Sequence, residues 1–173
     1  MWVTLDFNGF EDGEGGCSFN GWVDGGADAR HITNAWNNVR SGNCALRLQD
    51  NTGTSTATSG TFNVADYSTL KVDFFFKTNR NMGTVQDGTS PMQDGEYFHL
   101  DICSNGGDSG DCSNNGDFEE KERWSELSSN QYQNATKVVD VAGVDSVRVR
   151  FENEGFGNKD RVFIDDISVK AMV

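Results

Sequence analysis

Five segments of the chain alternate apolar and polar residues with the two-residue period of a β-strand. Side chains on a strand point to alternate faces of the sheet, so each segment has one largely apolar face. Clusters of Gly, Asn, Asp, Ser and Thr, residues that favour turns, separate the segments. Many short strands of this kind are typical of two packed sheets. The pattern predicts an all-β fold, an antiparallel β-sandwich of the jelly-roll type, with strands over 2–7, 45–50, 70–77, 96–102 and 146–151.

The same alternation predicts the core. The apolar positions of the last four segments should face inward: Leu46, Leu48, Val72, Phe74, Phe76, Phe98, Leu100, Ile102, Val147, Val149 and Phe151. We expect Trp2 and Trp22 to join them. The segment DFEEKERWSEL, 117–127, has helical composition but no apolar stripe at the 3.6-residue spacing of a helix. It is therefore expected to be a loop that leads into a strand.

Length and charge limit the class of protein. The 173 residues suffice for one domain with a single core. We expect residues 1–173 to be one β-sandwich binding module, monomeric in isolation and cut from a longer secreted protein, because Met1 leads directly into the first predicted strand. The net charge of -13 repels nucleic acid and anionic membranes but attracts cations. No run approaches the ~20 apolar residues of a membrane span, so we expect no nucleic-acid partner and no membrane insertion.

The four cysteines predict two disulfides. Cys103 and Cys112 bracket the hydrophilic loop CSNGGDSGDC, which is too polar to bury a structural thiol. A disulfide there would hold the loop closed, and Cys17 and Cys44 remain to pair. A metal thiolate site is the alternative, but the chain has no CxxC motif and two histidines. Disulfides indicate an oxidising compartment, so we expect the module to be secreted, extracellular or on the cell surface.

Two adjacent carboxylates interrupt the apolar segment FIDDISV near the chain end. One of Asp165 and Asp166 must point inward, and burying a carboxylate without a partner costs several kcal/mol. Glu11 similarly follows an apolar residue near the chain start, and it can approach the aspartates if the first and last strands are neighbours. A calcium ion between them would compensate the charges. Alternatively, the aspartates cap a strand or bind Arg161 at the surface.

Several stretches together resemble a known group of extracellular modules. These stretches are FEDG, GW.DGG.DA and SG..ALRLQDN near the start and VFIDDISV near the end. The pattern is similar to that of calcium-containing carbohydrate-binding modules of the xylan- and glucan-binding kind and of MAM-type recognition domains. The resemblance implies a structural Ca²⁺ held by the side chains of Glu11 and Asp165. It also implies carbonyl ligands from Gly9 and from the loop around Ser41 and Asn43, with Asp166 turned outward or into the second shell.

Polar faces of the predicted strands combine aromatic rings with planar charged groups. Sugars are bound by this mixture, because rings stack on C–H faces while guanidinium and carboxylate groups hydrogen-bond pairs of hydroxyls. Trp36, in the polar stretch NAWNNVRSG, is the preferred aromatic platform for stacking on a sugar ring. Arg148 and Asp73 can alternatively form a cross-strand ion pair. We predict that one sheet face and its rim gather the ligand-binding residues: Trp36, Arg47, Asp73, Phe75, Tyr97, His99, Asp101, Trp124, Arg148 and Arg150.

The function predicted from these features is non-catalytic, calcium-stabilised recognition of a polysaccharide or other glycan. Calcium-dependent adhesion or matrix assembly is the alternative from a second class. A polysaccharide lyase or glycosidase is a third possibility, since His99, Asp101 and Glu96 lie close in sequence and can form an acid–base pair. Gly-x-Ser-x-Gly, His-Glu-x-x-His and phosphate-binding glycine loops do not occur in the sequence, so we predict no catalytic residue.

Overall fold

The structure, a computed structural model, describes residues 1–13, 16–25, 29–33, 38–49, 55–78, 97–105, 112–125, 131–154 and 161–173, with backbone only for 30–33 and 105. This part of the chain forms twelve β-strands. In chain order, β1 to β12 are Trp2–Asn8, Val23–Gly25, Arg30–Thr33, Cys44–Gln49, Ser55–Thr58, Phe62–Asn63, Thr69–Thr78, Tyr97–Asn105, Glu119–Ser125, Gln133–Asp140, Ser146–Glu154 and Arg161–Met172.

The strands form two sheets, and the predicted antiparallel β-sandwich is confirmed. The first sheet has the order β10-β7-β12-β4-β3, with β1 also paired to β12. The second has the order β2-β5-β11-β8-β9, with β6 paired to β11. The first and last strands are antiparallel neighbours from Trp2 opposite Met172 to Asn8 opposite Ile167. This pairing brings the two ends of the sequence to one place.

The core between the sheets contains every side chain that the alternation assigned to it in the last four segments. Phe74 lies at its centre, with its ring centroid 4.8 Å from Phe151, 5.5 Å from Trp124 and 6.2 Å from Phe98. Each large apolar side chain that is removed from water contributes about 1.5–3 kcal/mol. Burial of these rows therefore explains why the strand pattern specifies this fold.

Three residues or segments depart from the predicted pattern. The segment expected as a loop contains strand β9, which pairs with β8. Trp124 lies opposite Phe98 in that pairing and stacks on it with centroids 5.2 Å apart. Its ring therefore packs against the core, because the strand register turns it inward. Trp22 is buried as expected, whereas Trp2 is 38% exposed at the end of β1.

Both predicted disulfides are present. Cys17 pairs with Cys44, which starts β4, and Cys103 of β8 pairs with Cys112. The first disulfide ties the segment after β1 to β4, and the second closes a loop that begins in β8. Among the described residues, no helix has the length and apolar character needed to cross a membrane.

Candidate functional site

The adjacent aspartates lie where β12 exchanges one neighbour for another. Before them β12 pairs with β4 as far as Ile164, and after them it pairs with β1 from Ile167. The register against β7 shifts between Asp165 and Ser168, and Asp166 has a φ of 50°, in the left-handed region. Asp165 and Asp166 therefore form a β-bulge, here named the aspartate bulge, and not a regular strand segment.

Asp165 is the inward-pointing member of the bulge and is fully buried. Its carboxylate accepts hydrogen bonds from the backbone N–H groups of Arg40 at 2.9 Å, Ser41 at 3.2 Å and Asp166 at 2.8 Å. Burial raises the pKa of Asp165 to about 6, and the three amide bonds oppose that rise. The loop 38–43 thus gives the buried carboxylate hydrogen-bond partners.

Asp166 bonds to side chains of the same loop instead of the core. It accepts a hydrogen bond from Ser41 Oγ at 2.6 Å and forms an ion pair with Arg40. The Arg40 guanidinium lies over the ring of Phe75, 3.4 Å from the centroid, in a cation–π contact. Arg161, the partner in the alternative interpretation, instead donates a hydrogen bond to a glutamine of β4.

Glu11 contacts the other half of this loop. Its Oε1 accepts hydrogen bonds from the backbone N–H groups of Asn43 at 2.7 Å and Cys44 at 2.9 Å. Gly42 permits this approach, because its φ is 62° and a Cβ there would lie 2.2 Å from Glu11 Oε1. Gly9 lies beside the aspartate bulge, and a Cβ at that position would be 3.7 Å from the bulge.

The residues predicted to hold calcium therefore lie around one loop: Gly9, Glu11, Ser41, Asn43 and Asp165. Their donor chemistry fits calcium in part. The two carboxylates are the hard oxygen ligands that Ca²⁺ prefers. The loop, however, turns backbone N–H groups toward those carboxylates, and these donors already compensate part of the charge.

The residues predicted to bind a glycan are divided between two surfaces. β4 and β7 belong to the first sheet and β8 and β11 to the second. Since the core lies between the sheets, outward side chains of the two sheets are on opposite sides of the sandwich. The first surface carries Arg47, Asp73 and Phe75, and the second carries Tyr97, His99, Asp101, Arg148 and Arg150. The expectation of one shared face is thus wrong, because alternation identifies outward positions but not sheet membership.

The alternative pair of Arg148 and Asp73 is excluded for the same reason. Arg148 donates from Nε to Thr61 Oγ1 at 3.0 Å, and Asp73 pairs with Lys71 at 3.0 Å. Trp36, the preferred platform, lies outside the described residues.

An open groove crosses the outward surface of the first sheet, beside the aspartate bulge. Its volume is ≈ 670 Å³, and its walls combine two phenylalanine rings with hydroxyl and charged groups. We name this surface the groove face and define it by Phe7, Arg40, Asp73, Phe75, Ser168 and Lys170. The Phe7 residue is 64% exposed.

The sequence did not identify Phe7 as a surface residue, because a β-bulge in β1 turns its side chain to the opposite face of the sheet. Regular alternation along residues 2–7 would place Phe7 on the same side of β1 as Val3 and Leu5. The register against β12 shifts between Thr4 and Asp6, so that Phe7 lies opposite Ser168 on the outward surface. No local sequence signal marks this bulge.

The surface of the second sheet carries a buried polar network. His99 Nδ1 lies 2.6 Å from Asp101 Oδ1, and Arg150 Nη2 lies 2.7 Å from Asp101 Oδ2 and 2.9 Å from Glu152 Oε2. All four residues are at most 6% exposed. Glu152 was not predicted, although it continues the outward row of Arg148 and Arg150 along β11.

Contacts within this network shift the pKa values of Glu152, Asp101 and His99. Burial raises the pKa of Glu152, with Arg150 and His99 opposing the rise. For Asp101 burial acts in the same direction, but the bonds from His99 and Arg150 lower its pKa below the ordinary value. Burial opposes the charged form of His99, yet Asp101 and Glu152 raise the pKa of the imidazole overall.

His99, Asp101 and Glu152 also form a possible metal-binding cluster. Each offers a ligand atom, and these atoms lie within 4.8 Å of one another. Arg150 bridges the two carboxylates of the cluster. His99 and Asp101, the conceivable acid–base pair, are thus engaged in buried contacts, and Glu96 lies outside the described residues.

No protein-family model matches the chain, and no curated protein sequence matches it. Solved structures do match it in fold. The CBM22-1 and GH10 modules of the Clostridium thermocellum xylanase 10B, complexed with xylohexaose, align with a TM-score of 0.64 at 14% identity. The alignment covers 98% of this chain but 28% of the chain of xylanase modules, so this chain spans less than a third of the length of that chain.

Two further structures match over most of both chains. The K2 cleaved adhesin domain of Lys-gingipain has a TM-score of 0.64 at 16% identity and is covered over 100% of both chains. The carbohydrate-binding module TmCBM61, in complex with β-1,4-galactotriose, has a TM-score of 0.56 at 15% identity, covering 87% of this chain and 88% of that one. The chain therefore has the jelly-roll β-sandwich fold that is found in carbohydrate-binding modules of families 22 and 61.

Proposed function

We propose that the chain is a non-catalytic recognition module of an extracellular protein and that a polysaccharide binds along the groove face. The observation that carries the proposal is the exposed Phe7 ring in an open groove of ≈ 670 Å³. This volume lies in the range of about 300–1,000 Å³ that is usual for ligand sites.

The groove face offers both elements of sugar recognition. The flat ring of Phe7 can stack on the C–H face of a pyranose. Asp73 and Lys170 supply a charged acceptor and donor, and Lys170 Nζ is 3.8 Å from Asp73 Oδ2. This separation exceeds hydrogen-bond distance, so a sugar hydroxyl can contact both groups.

The charged groups on the outward surface of the second sheet are less accessible to a ligand. These groups are mostly buried and bonded to each other, with Phe118 packed on the Arg150 guanidinium at 4.2 Å. Sugar hydroxyls would have to replace these internal bonds. The groove face also contains ion pairs, of Asp73 with Lys71 and of Arg40 with Asp166. The side chains of Asp73 and Lys170 nevertheless remain 22% and 32% exposed, and this greater exposure favours the groove face.

Several further observations support the proposal. The structural neighbours with bound ligands hold xylohexaose and β-1,4-galactotriose, both neutral chains of pyranose rings. The two disulfides are consistent with an extracellular location. A neutral polysaccharide also avoids repulsion by the net charge of -13.

Calcium stabilisation is part of the proposal. Glu11 and Asp165 come from opposite ends of the chain, so an ion held by both would bind only the folded state. The raised pKa of Asp165 supports this assignment, because it indicates that the amide donors do not fully offset the burial of the carboxylate. Gly9 and the loop of Ser41 and Asn43 complete the proposed site.

A glycan array with the Phe7→Ala variant tests the carbohydrate proposal. We expect the wild-type domain to bind neutral β-linked polysaccharides and Phe7→Ala to bind at least tenfold more weakly, since burial of a large apolar side chain contributes about 1.5–3 kcal/mol. Val23→Ala is the matched control, because Val23 is 63% exposed on β2 of the second sheet.

The outcomes separate the classes of function. Equal binding by wild type and Phe7→Ala would move the site away from the groove face. Release of reducing or unsaturated ends from a bound polysaccharide would identify an enzyme. A blank array, together with calcium-dependent binding to cells or matrix, would favour adhesion instead.

A further inference from the structure

His99 has one ring nitrogen that is bound and one that is not. Its Nδ1 lies 2.6 Å from Asp101 Oδ1, whereas its Nε2 is buried and has no hydrogen-bond partner. The residue is 5% exposed. Buried polar atoms are almost always paired, so an unpaired one indicates a missing ligand or water.

The unpaired nitrogen faces two carboxylates. Nε2 lies 3.7 Å from Glu154 Oε1 and 3.9 Å from Glu152 Oε2. Both separations are too long for hydrogen bonds. In a tetrahedral zinc site, nitrogen and oxygen ligands at about 2.0–2.2 Å from the metal are about 3.4 Å apart. Side-chain shifts of a few tenths of an ångström would bring each carboxylate oxygen to that distance from Nε2.

Asp101 holds the imidazole in the orientation that this arrangement needs. A carboxylate on Nδ1 keeps the proton there and leaves the Nε2 lone pair for a metal, as is usual for metal-binding histidines. Asp101 is itself fixed by two hydrogen bonds from Arg150, at 2.9 and 2.7 Å. It is thus a positioning residue and not a ligand.

The charges around Nε2 also favour a dication. Asp101, Glu152 and Glu154 contribute three negative charges when ionised, and Arg150 contributes one positive charge through its contacts with Asp101 and Glu152. Arg123 lies opposite His99 on β9, but it forms an ion pair with Glu120, so this pair adds no net charge. Two negative charges remain when His99 is neutral. Arg150 Nη2 lies 2.9 Å from Glu152 Oε2, but the Glu152 carboxylate has further lone pairs that can bind a metal.

We propose that His99 Nε2, Glu152 and Glu154 bind a divalent transition-metal ion of the zinc type. Three protein ligands leave a fourth position, and the Glu154 side chain is 36% exposed, so this position can face water. The site is separate from the proposed calcium site, which lies on the first sheet and has no histidine. Imidazole selects zinc-type metals over Ca²⁺, whose ligands are oxygens.

The test is a calorimetric titration of the intact, chelator-treated domain with Zn²⁺ alone, at pH 7.5 in excess Ca²⁺. We expect one Zn²⁺ per chain. His99→Gln should weaken binding at least tenfold, whereas His31→Gln, in β3 of the first sheet, should leave it unchanged. Glu154→Gln should also weaken binding at least tenfold, with the exposed Glu119→Gln as control. Melting curves establish that each variant is folded.

Co²⁺ provides a second readout, because its visible spectrum reports the coordination geometry of the bound ion. We expect a tetrahedral-type spectrum in the wild type and its loss in His99→Gln. The proposal is overturned if the folded wild type shows no stoichiometric Zn²⁺ binding. It is equally overturned if Zn²⁺ binds Glu154→Gln as tightly as the wild type. Should His99→Gln fail to fold, the comparison of Glu154→Gln with Glu119→Gln decides the question.

Discussion

Replacing Gly42 with alanine should disrupt the contact between Glu11 and the loop 38–43. The new Cβ would lie 2.2 Å from Glu11 Oε1, so the carboxylate must move away from the N–H groups of Asn43 and Cys44. Each hydrogen bond to a charged group contributes about 1.5–3 kcal/mol when buried, and less here because Glu11 is partly exposed.

The left-handed backbone at this position adds a second cost. Gly42 has a φ of 62°, and alanine in that region costs about 1–2 kcal/mol. Gly143 separates the two effects, since it has a φ of 78° but nothing within 4 Å of the position that an added methyl group would take. We therefore expect Gly42→Ala to lower the free energy of unfolding by about 2–4 kcal/mol and Gly143→Ala to lower it by about 1–2 kcal/mol.

Thermal unfolding followed by circular dichroism measures the difference. At about 2–4 °C per kcal/mol for a chain of this length, Gly42→Ala should lower the Tm by roughly 4–16 °C and Gly143→Ala by roughly 2–8 °C. In a Glu11→Ala background the extra cost of Gly42→Ala should disappear, because the displaced carboxylate is gone. Equal Tm losses at the two glycines, or an extra cost that persists without Glu11, would refute the reasoning.

Three further results are expected. Calcium should raise the wild-type Tm, magnesium should substitute poorly and chelator should remove the gain, while Asp165→Ala should lose most of the calcium effect. If the wild type has the same Tm in calcium, in magnesium and in chelator, the proposed calcium site is contradicted. Burial raises the pKa of Asp165 to about 6. Without calcium, the contribution of Asp165 to the free energy of unfolding should therefore fall as the pH rises from about 4 to 6, and urea unfolding should show this fall in wild type but not in Asp165→Asn. Non-reducing mass spectrometry should find Cys17–Cys44 and Cys103–Cys112, and free thiols would contradict both pairs.

Bulges mark the point where prediction from the sequence fails. Alternation assumes that each strand keeps its register, and β1 and β12 both shift theirs. The first shift turns Phe7 outward, onto the groove face. The second makes the aspartate bulge, so that Asp165 and Asp166 take different environments. Neither shift has a local signal, because each depends on which strands lie alongside.

The placement of the outward residues fails for a related reason. His99 and Asp73 both lie on outward positions of their strands, as predicted, but on opposite sides of the sandwich. The surface that each strand faces depends on strand order, and that order depends on contacts between residues far apart in the chain.

Local periodicity was sufficient to predict the fold class and the core rows, because burial of apolar surface enforces both. The spacing of the cysteines predicted the disulfide partners, and the resemblance to carbohydrate-binding modules predicted that Glu11 and Asp165 meet at one loop. The tertiary structure was needed to establish that backbone amides hydrogen-bond Asp165, that Phe7 is exposed and that the Nε2 atom of His99 faces two carboxylates. Each of these contacts joins residues from different strands, and its distances are set by sheet register, which no single segment encodes.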